Sequence, residues 1–338
     1  MRHQLVLVAA LLSSSHAVAQ TCFYIPSNTP STGTCNVIPF GTTKTSSTWK
    51  NQKYQTLLLK SQLKPTPGLI CEIAFAPCGT GLRDFKSIEI VMDYFQGTGS
   101  TLSTTFANNI STQAKTVLKS SDYVWHVTRN QWNRIGLQKS FLYIPQRGHL
   151  VIQILVTEAG GQISGGGFHR TNNQQRVYAF GWSGSPPPSG GTDRAALKIE
   201  VCYDAADLGL FGQSCPGSNN LTPALALTGS AKLGNTVTVG LSGAPANGPV
   251  VFILGANSSA PYPITLVGSG PTACRLYESP DILVVHVANA SGNATQLLPV
   301  GRTVPLCLRL YTQWAAIDAT ANSLGVTLTN YGRILTGN

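Results

Sequence analysis

The sequence predicts an all-β fold with two β-sandwich domains. Apolar and polar residues alternate at a period of two, and no long stretch repeats at the helical period of 3.6. Short apolar runs are separated by Gly, Pro or Asn, as in sandwiches. Of the 338 residues, 42% are hydrophobic and 11% are charged. This balance provides enough apolar side chains for a core and excludes a chain disordered by high charge.

Residues 1–19 have the pattern of a secretory signal peptide. Arg2 provides a positive start, residues 5–12 are apolar, and residues 17–19 (AVA) form a small-residue cleavage site. The apolar run is far shorter than the roughly 20 residues that a membrane span needs, and no later run approaches that length. We therefore expect a secreted or cell-surface protein without a transmembrane segment.

The chain contains eight cysteines, all after the signal peptide. An even number in an exported chain predicts disulfides rather than metal ligands or catalytic thiols. Proximity along the chain suggests the pairs Cys22–Cys35 and Cys71–Cys78. For the four cysteines that remain, we predict the pairs Cys215–Cys274 and Cys202–Cys307. No CxxC pair is present, so no zinc site is predicted.

After an N-terminal segment at residues 20–35, residues 36–203 are predicted to form a jelly-roll-like sandwich. Within residues 85–95 (FKSIEIVMDYF), alternate residues from Ile88 to Tyr94 share one face of a strand. Further strands are predicted by the same alternation or by apolar runs at residues 123–128, 150–157, 176–182 and 195–203. The Gly-rich residues 160–167 and the Pro/Gly-rich residues 185–191 are predicted loops.

The composition changes near Asp204. Residues 204–218 have the character of a linker, and residues 219–338 are predicted to form a small Ig-like or similar C-terminal sandwich. Short apolar runs between turn residues predict its strands at 224–227, 237–241, 250–254, 264–267, 282–288, 306–314 and 326–329.

Several motifs resemble those of known exported proteins. The runs WNRIGL (132–137), FLYIP (141–145) and GHLVI (148–152) resemble a pattern of bacterial jelly-roll domains. The second half resembles a small sandwich of secreted bacterial proteins in the motifs CPG (215–217), LG (233–234), Cys274, YxQW (311–314) and DxxAN (318–322). The family resembled is that of functionally uncharacterised exported bacterial two-domain β-sandwich proteins. The resemblance implies a fold and an exported location, but no catalytic residue.

Common enzyme signatures are absent: there is no GxSxG, HExxH or GxxxxGK[ST]. A glycosidase requires two carboxyl groups about 5–10 Å apart. Glu89 and Asp93 on one strand would lie about 13 Å apart, whereas pairs of Glu89 with Glu158 or with Glu200 stay open. No catalytic residue is assigned, and an extracellular glycan-acting hydrolase is kept as an alternative function.

The histidines that follow the signal peptide fall in separate predicted strands or loops. These residues are His126, His149, His169 and His286, and no His-x-His pair shares a strand face. The sequence therefore predicts no metal site and no other cofactor.

A cluster of aromatic and basic residues is the strongest candidate for ligand binding. Its candidate residues are Trp125, His126, Arg129, Trp132, His169, Arg170 and Trp182. Aromatic rings can stack on sugar rings, and Arg can bind hydroxyls or anionic groups. The competing interpretation is that the Trp side chains fill the sandwich core. Because Trp125 and His126 are adjacent in a strand, one of the two is expected to face outward.

Lys and Arg outnumber Asp and Glu by 23 to 13, which gives a formal net charge of +10. A positive exported protein suits a polysaccharide or an anionic cell surface. The basic residues are dispersed, so nucleic acid is not a predicted partner. We therefore expect a non-enzymatic secreted or cell-surface binding or adhesion protein for carbohydrate or anionic surfaces. A structural envelope or matrix protein is the other alternative.

Overall fold

The computed structural model describes residues 21–42, 48–163, 166–270 and 272–338. The protein is all-β, as predicted, and the described residues contain no helix of seven or more residues. The predicted signal peptide, residues 1–19, lies outside the described residues.

The strands are numbered in chain order. The first part of the chain contains β1 Thr21–Ile25, β2 Cys35–Asn36, β3 Gln52–Leu58, β4 Gly68–Phe75, β5 Gly81–Tyr94, β6 Lys115–Val127, β7 Asn133–Arg134, β8 Phe141–Tyr143, β9 Leu150–Thr157, β10 Gly160–Ile163, β11 Phe168–His169, β12 Arg176–Phe180, β13 Gly191–Asp193 and β14 Ile199–Tyr203. The second part contains β15 Asp207–Phe211, β16 Ala224–Gly229, β17 Thr236–Ser242, β18 Pro249–Gly255, β19 Ile264–Val267, β20 Cys274–Leu276, β21 Ile282–Val287, β22 Ala294–Pro299, β23 Arg309–Ile317, β24 Val326–Leu328 and β25 Tyr331–Leu335. Single 3₁₀ turns occur at Lys60–Gln62, Phe106–Asn108, Pro145–Arg147 and Ser218–Asn220.

The first sandwich packs two sheets around the larger core. One sheet has the order β1-β14-β4-β7, with β8 also paired to β4, and the other contains β13-β12-β3-β9-β5-β6. Inward-facing residues of both sheets, such as Ile73 on β4 and Ile154 on β9, are fully buried in this core. Alternation therefore places one apolar face of each sheet inside, as the sequence indicates.

The second sandwich has a separate core. The sheet β16-β17-β22 faces the strands β25-β23-β18-β21. Val239 on β17 and Phe252 and Trp314 on the opposite sheet are buried between them. The aromatic rings of Phe252 and Trp314 meet edge to face with centroids 5.2 Å apart, an arrangement that adds to the stabilisation from burial.

The two sandwiches share one continuous sheet, which runs from β13 through β6, β15 and β25 to β21. The segment interpreted as a linker, residues 204–218, contains β15. This strand pairs with β25 along its length and with β6 at Phe211 and Trp125. The division into two domains at this segment stays a prediction, as do the jelly-roll and Ig-like topologies.

Most strands predicted by alternation are present, but the prediction of a loop throughout residues 160–167 is wrong. Residues 160–163 form β10, which pairs with the start of β5. The backbone of Gly161 has φ of +137°, and a Cβ there would lie 2.1 Å from the carbonyl oxygen of Leu82. Only glycine permits this close approach of the two strands, so the glycines that suggested a loop are what allow the pairing.

All eight predicted cysteines form disulfides, but only one of the predicted pairings, Cys215–Cys274, is correct. The others are Cys22–Cys202, Cys35–Cys78 and Cys71–Cys307. The reason is strand pairing between distant parts of the chain. In particular, the register of β1 against β14 places Cys22 directly opposite Cys202.

A buried ionic network connects the shared sheet to the other sheet of the first sandwich. The Arg333 guanidinium on β25 contacts the carboxylates of Glu72 and Asp207. Arg134 lies 3.8 Å from Asp207 and 3.6 Å from Glu200. Burial raises the pKa of both Glu200 and Asp207, although the positive charge of Arg134 opposes this shift. The network therefore depends on its arginines to compensate for buried negative charge.

Candidate functional site

A cleft of about 300 Å³ lies where the first sandwich meets the loops of the second. Its charged lining residues are Lys50, Asp84, Lys86, Asp122, Glu158 and Arg275. Ligand sites commonly form at such junctions between packed units. We refer to this site as the charged cleft.

Neighbouring strands bring these side chains together. Asp84 and Lys86 are two residues apart on β5 and therefore share a face of the strand. Lys86 Nζ lies 3.1 Å from the Asp122 carboxylate on β6. Glu158 directly follows β9, which pairs with β5 on its other side. The site therefore depends on the central β6-β5-β9 ribbon.

The separate two-stranded sheet β19-β20 contributes Arg275, which lies on β20. Its guanidinium donates a hydrogen bond to the carbonyl oxygen of Gly270 at 2.9 Å and lies 4.0 Å from the Asp122 carboxylate. Asp122 is thus flanked by Arg275 and Lys86. These contacts hold a carboxylate at the junction in a fixed position, where it can accept hydrogen bonds from a ligand.

Two residues of the charged cleft have an unusual backbone. Asp122 has φ of +46° and Glu158 has φ of +45°. For residues other than glycine this left-handed conformation costs about 1–3 kcal/mol and is found more often at functional sites than elsewhere. Five other described residues that are not glycine share this conformation outside the cleft, so the strain accompanies the site and does not by itself identify it.

The charged cleft is electrically balanced. Asp84, Asp122 and Glu158 face the three basic residues named above, so the lining combines fixed acceptors with fixed donors. Such a lining suits a neutral ligand with many hydroxyl groups better than a strongly anionic one. The net positive charge of the protein is therefore not concentrated here.

An aromatic group is formed by Trp49, which precedes the cleft residue Lys50 in the chain, and by Tyr178 and Phe180 on β12. The Trp49 and Phe180 ring centroids are 4.6 Å apart, and the rings of Tyr178 and Phe180 are within 7° of parallel. Phe180 is 40% exposed, and Trp49 and Tyr178 are half-buried. The Arg176 guanidinium lies 4.4 Å from the Tyr178 ring centroid. Phe180 therefore presents aromatic surface to solvent, whereas Arg176 is 4% exposed and forms a two-point ion pair with Asp193.

Asn51 connects the aromatic group to the charged cleft. Its side-chain amide donates to the Trp182 carbonyl oxygen at 2.8 Å, and its side-chain oxygen accepts from the backbone N–H of Glu158 at 3.0 Å. Lys50 accepts a backbone hydrogen bond from Ala159 at 2.7 Å. The segment from Trp49 to Asn51 therefore contributes to both parts of the surface.

The predicted binding residues do not gather at one place. Trp125 is 1% exposed and packs within the first core, so it is not available to a ligand and its assignment to the binding cluster is corrected. His126 points outward, as the alternation requires, and lines a separate shallow depression next to the charged cleft. Trp182 is half-buried near the aromatic group.

The remaining predicted residues lie around the N-terminal segment. The Trp132 indole donates to the side-chain oxygen of Asn28 at 2.8 Å, and the His169 ring contacts Gly33 and Asn130. Arg170 donates to Asn172 at 2.5 Å, and the side chain of Arg129 is exposed. Trp132 and His169 therefore hold the segment in place rather than form a common pocket.

Apart from Glu158, which was named as a possible carboxylate partner of Glu89, sequence reasoning missed the charged residues of the cleft. The alternation within β5 could have indicated that Asp84 and Lys86 share a face. Nothing local in the sequence shows that Asp122, Glu158 and Arg275 meet them, because strand pairing decides this. Of the carboxylates left open as pairs, Glu89 contacts Lys119 at 3.5 Å, Glu200 is buried 3.6 Å from Arg134, and Glu158 lines the charged cleft.

Among the residues that the structure describes, clusters of potential metal ligands coincide with disulfides. Within the described ranges, each of the three clusters of His, Cys, Asp and Glu ligand atoms includes a disulfide pair, as with His169 beside Cys35–Cys78. No helix in the part of the chain that the structure describes is long and apolar enough to traverse a lipid bilayer.

The comparisons with known proteins leave the site to be interpreted from its own chemistry. No protein-family model and no curated protein sequence matches this chain.

Proposed function

We propose that this protein is a non-enzymatic, secreted or cell-surface protein that binds carbohydrate. Its ligand would occupy the charged cleft and stack on the adjacent aromatic group. The observation that carries the proposal is the position of a charge-balanced cleft beside the partly exposed Trp49, Tyr178 and Phe180.

The chemistry of both parts supports this function. Carboxylates accept hydrogen bonds from sugar hydroxyls, whereas Lys and Arg donate to hydroxyl and ring oxygens. The apolar C–H face of a sugar can pack on an exposed aromatic ring such as that of Phe180. The four disulfides suit an oxidising, extracellular environment, in agreement with the proposed export through the signal peptide.

The first test is a glycan array followed by titration calorimetry with the tightest glycan. Asp84→Asn removes a charged acceptor from the charged cleft, and hydrogen bonds to charged groups contribute about 1.5–3 kcal/mol. We expect Kd to rise by about 10- to 150-fold. Glu89→Gln is the matched control on the same strand, outside the cleft, and should leave Kd unchanged.

A second variant tests the aromatic group. Phe180→Ala removes the most exposed ring and should weaken binding of the same glycan, whereas Trp132→Ala, at the N-terminal segment, should not. An array without any saccharide binding would contradict the proposed function. Recovery of all the protein in an insoluble envelope fraction would favour a structural envelope or matrix protein instead.

A second candidate function is the hydrolysis of glycans. Its specific support is that three carboxylates, those of Asp84, Asp122 and Glu158, line one cleft. The test is chromatography of the bound glycan after long incubation. Release of shorter saccharides that stops in both Asp84→Asn and Glu158→Gln would establish an enzyme. Binding without release supports the non-enzymatic function.

A further inference from the structure

The far end of the long sheet is an unprotected edge. Strand β21 pairs with β18 on one side, and no described strand pairs with it on the other. Alternate backbone N–H and C=O groups along β21 therefore point away from the sheet without a strand to receive them.

The outward face of β21 is apolar and unusually exposed. Leu283, Val285 and Val287 are 58%, 73% and 68% exposed. Ile317 on β23 belongs to the same face, because Val251 is the neighbour of both Val285 and Ala315, and it is 42% exposed. These side chains form a continuous patch, and such patches mark interaction sites.

Natural edge strands are usually protected by charged residues, proline or bulges. β21 has the sequence ILVVHV, without charged residues or proline, and its register against β18 has no bulge. Its histidine, His286, faces inward, where its Nε2 lies 3.0 Å from the side-chain oxygen of Gln296. None of the usual devices that prevent strand addition is therefore present in this strand.

The strand is complementary to itself. In an antiparallel pair of two β21 strands centred on Val285, Leu283 of one copy lies opposite Val287 of the second copy. Val284 then lies opposite His286 on the inner face. Each outward pair joins two apolar side chains, and both sheets keep their inner and outer faces.

The charge distribution also favours a second copy as the occupant. Residues 204–338 contain five basic and five acidic residues, so the excess of positive charge belongs to the first part of the chain. Two copies that meet at β21 bring together their neutral ends, and electrostatic repulsion between their positive parts is weakened by distance and by salt.

From these observations we infer that two copies of this chain associate through β21 into a symmetric dimer whose sheets form one continuous sheet. The interface would be isologous, with the two-fold axis passing through the paired Val285 residues. The backbone groups of the edge would then be satisfied, and the apolar patch would be covered.

The test is sedimentation velocity on the oxidised full chain between about 1 and 100 µM, a range that brackets a micromolar dissociation constant. We expect a dimer that dissociates on dilution. Val285→Lys places a charge in the centre of the interface and should raise the dimer dissociation constant at least 100-fold. Leu324→Lys, which changes a 53% exposed leucine outside β21, is the matched control and should not alter it.

A second variant maps the interface without destabilising it. Val285→Cys should form a disulfide-linked dimer under mild oxidation, because directly opposite residues in antiparallel strands lie about 4.5–5.5 Å apart. Leu324→Cys should not. The inference is overturned if the wild-type chain remains monomeric throughout the concentration range. A dimer that Val285→Lys leaves intact, with no crosslink in Val285→Cys, would also overturn it.

Discussion

Replacement of Arg333 by Met is expected to lower the free energy of unfolding by about 3–5 kcal/mol, because it leaves a buried carboxylate without its partner. Arg333 is 1% exposed and Glu72 is fully buried. Glu72 also accepts hydrogen bonds from the backbone N–H groups of Ile73 and Leu137, so it cannot turn to solvent. The measurement is denaturant unfolding at pH 7 with the disulfides intact.

The control for this prediction removes both charges. In Glu72→Gln/Arg333→Met the Glu72 carboxylate is gone, whereas Asp207 loses Arg333 and keeps Arg134, 3.8 Å away, as its cationic partner, so we expect part of the lost stability to return. A double variant as unstable as the single one would show that the packing of Arg333, rather than its charge, stabilises the junction. A loss below about 1 kcal/mol in Arg333→Met, within the range of ordinary substitutions, would contradict the prediction.

Replacement of Glu278 by Gln is expected to remove a loss of stability that begins as the pH rises above the pKa of an unfolded glutamate, near 4.3. Glu278 is fully buried, and neither carboxyl oxygen has a hydrogen-bond partner. Burial raises its pKa well above the usual value, and its proximity contributes to the raised pKa of Tyr331. In the folded protein the carboxyl group therefore stays protonated at pH values where the unfolded chain has already lost the proton.

The sign of the effect follows from this difference. Above the unfolded pKa, near 4.3, folding takes up a proton, so the unfolding free energy falls as pH rises. The slope is about 1.4 kcal/mol per pH unit until the folded pKa is reached. Stability curves from pH 4 to 9 should converge for wild type and Glu278→Gln near pH 4 and separate at higher pH. Glu89→Gln, which changes a partly exposed carboxylate, should show the same dependence of stability on pH as the wild type. If the stability of Glu278→Gln fell with pH as steeply as that of the wild type, this interpretation would be refuted.

Much of the fold could be predicted because its signals are local. The alternation from Ile88 to Tyr94 reports the pleat of β5 directly, since neighbouring side chains of a strand point to opposite faces. Strands with weaker alternation or turn-like composition were missed. β15 lies within a segment rich in Gly and Ala, and only its pairing with β25 shows that it is a strand of the shared sheet.

For the candidate site, the sequence indicated the types of residue but not most of the individual residues. The sequence indicated aromatic and basic residues as candidates for carbohydrate binding, and the structure places a charged cleft near an aromatic group with mostly different members. Trp125 and Phe180 look equally suitable in the sequence, yet one lies in the core and the other is exposed. Which face of a strand meets a second sheet depends on packing between distant segments, which no single strand encodes.

By itself the sequence determined the all-β class, the positions of most strands and the participation of every cysteine in a disulfide. These properties depend on the local periodicity of apolar residues and on the even number of cysteines. The tertiary structure alone decided that Cys22 pairs with Cys202, that Asp84, Asp122, Glu158 and Arg275 share one cleft, and that β21 is left as an open edge. The physical reason is that the free-energy cost of closing a loop grows only slowly with its length, so the pairing of distant strands is chosen by packing over the whole molecule.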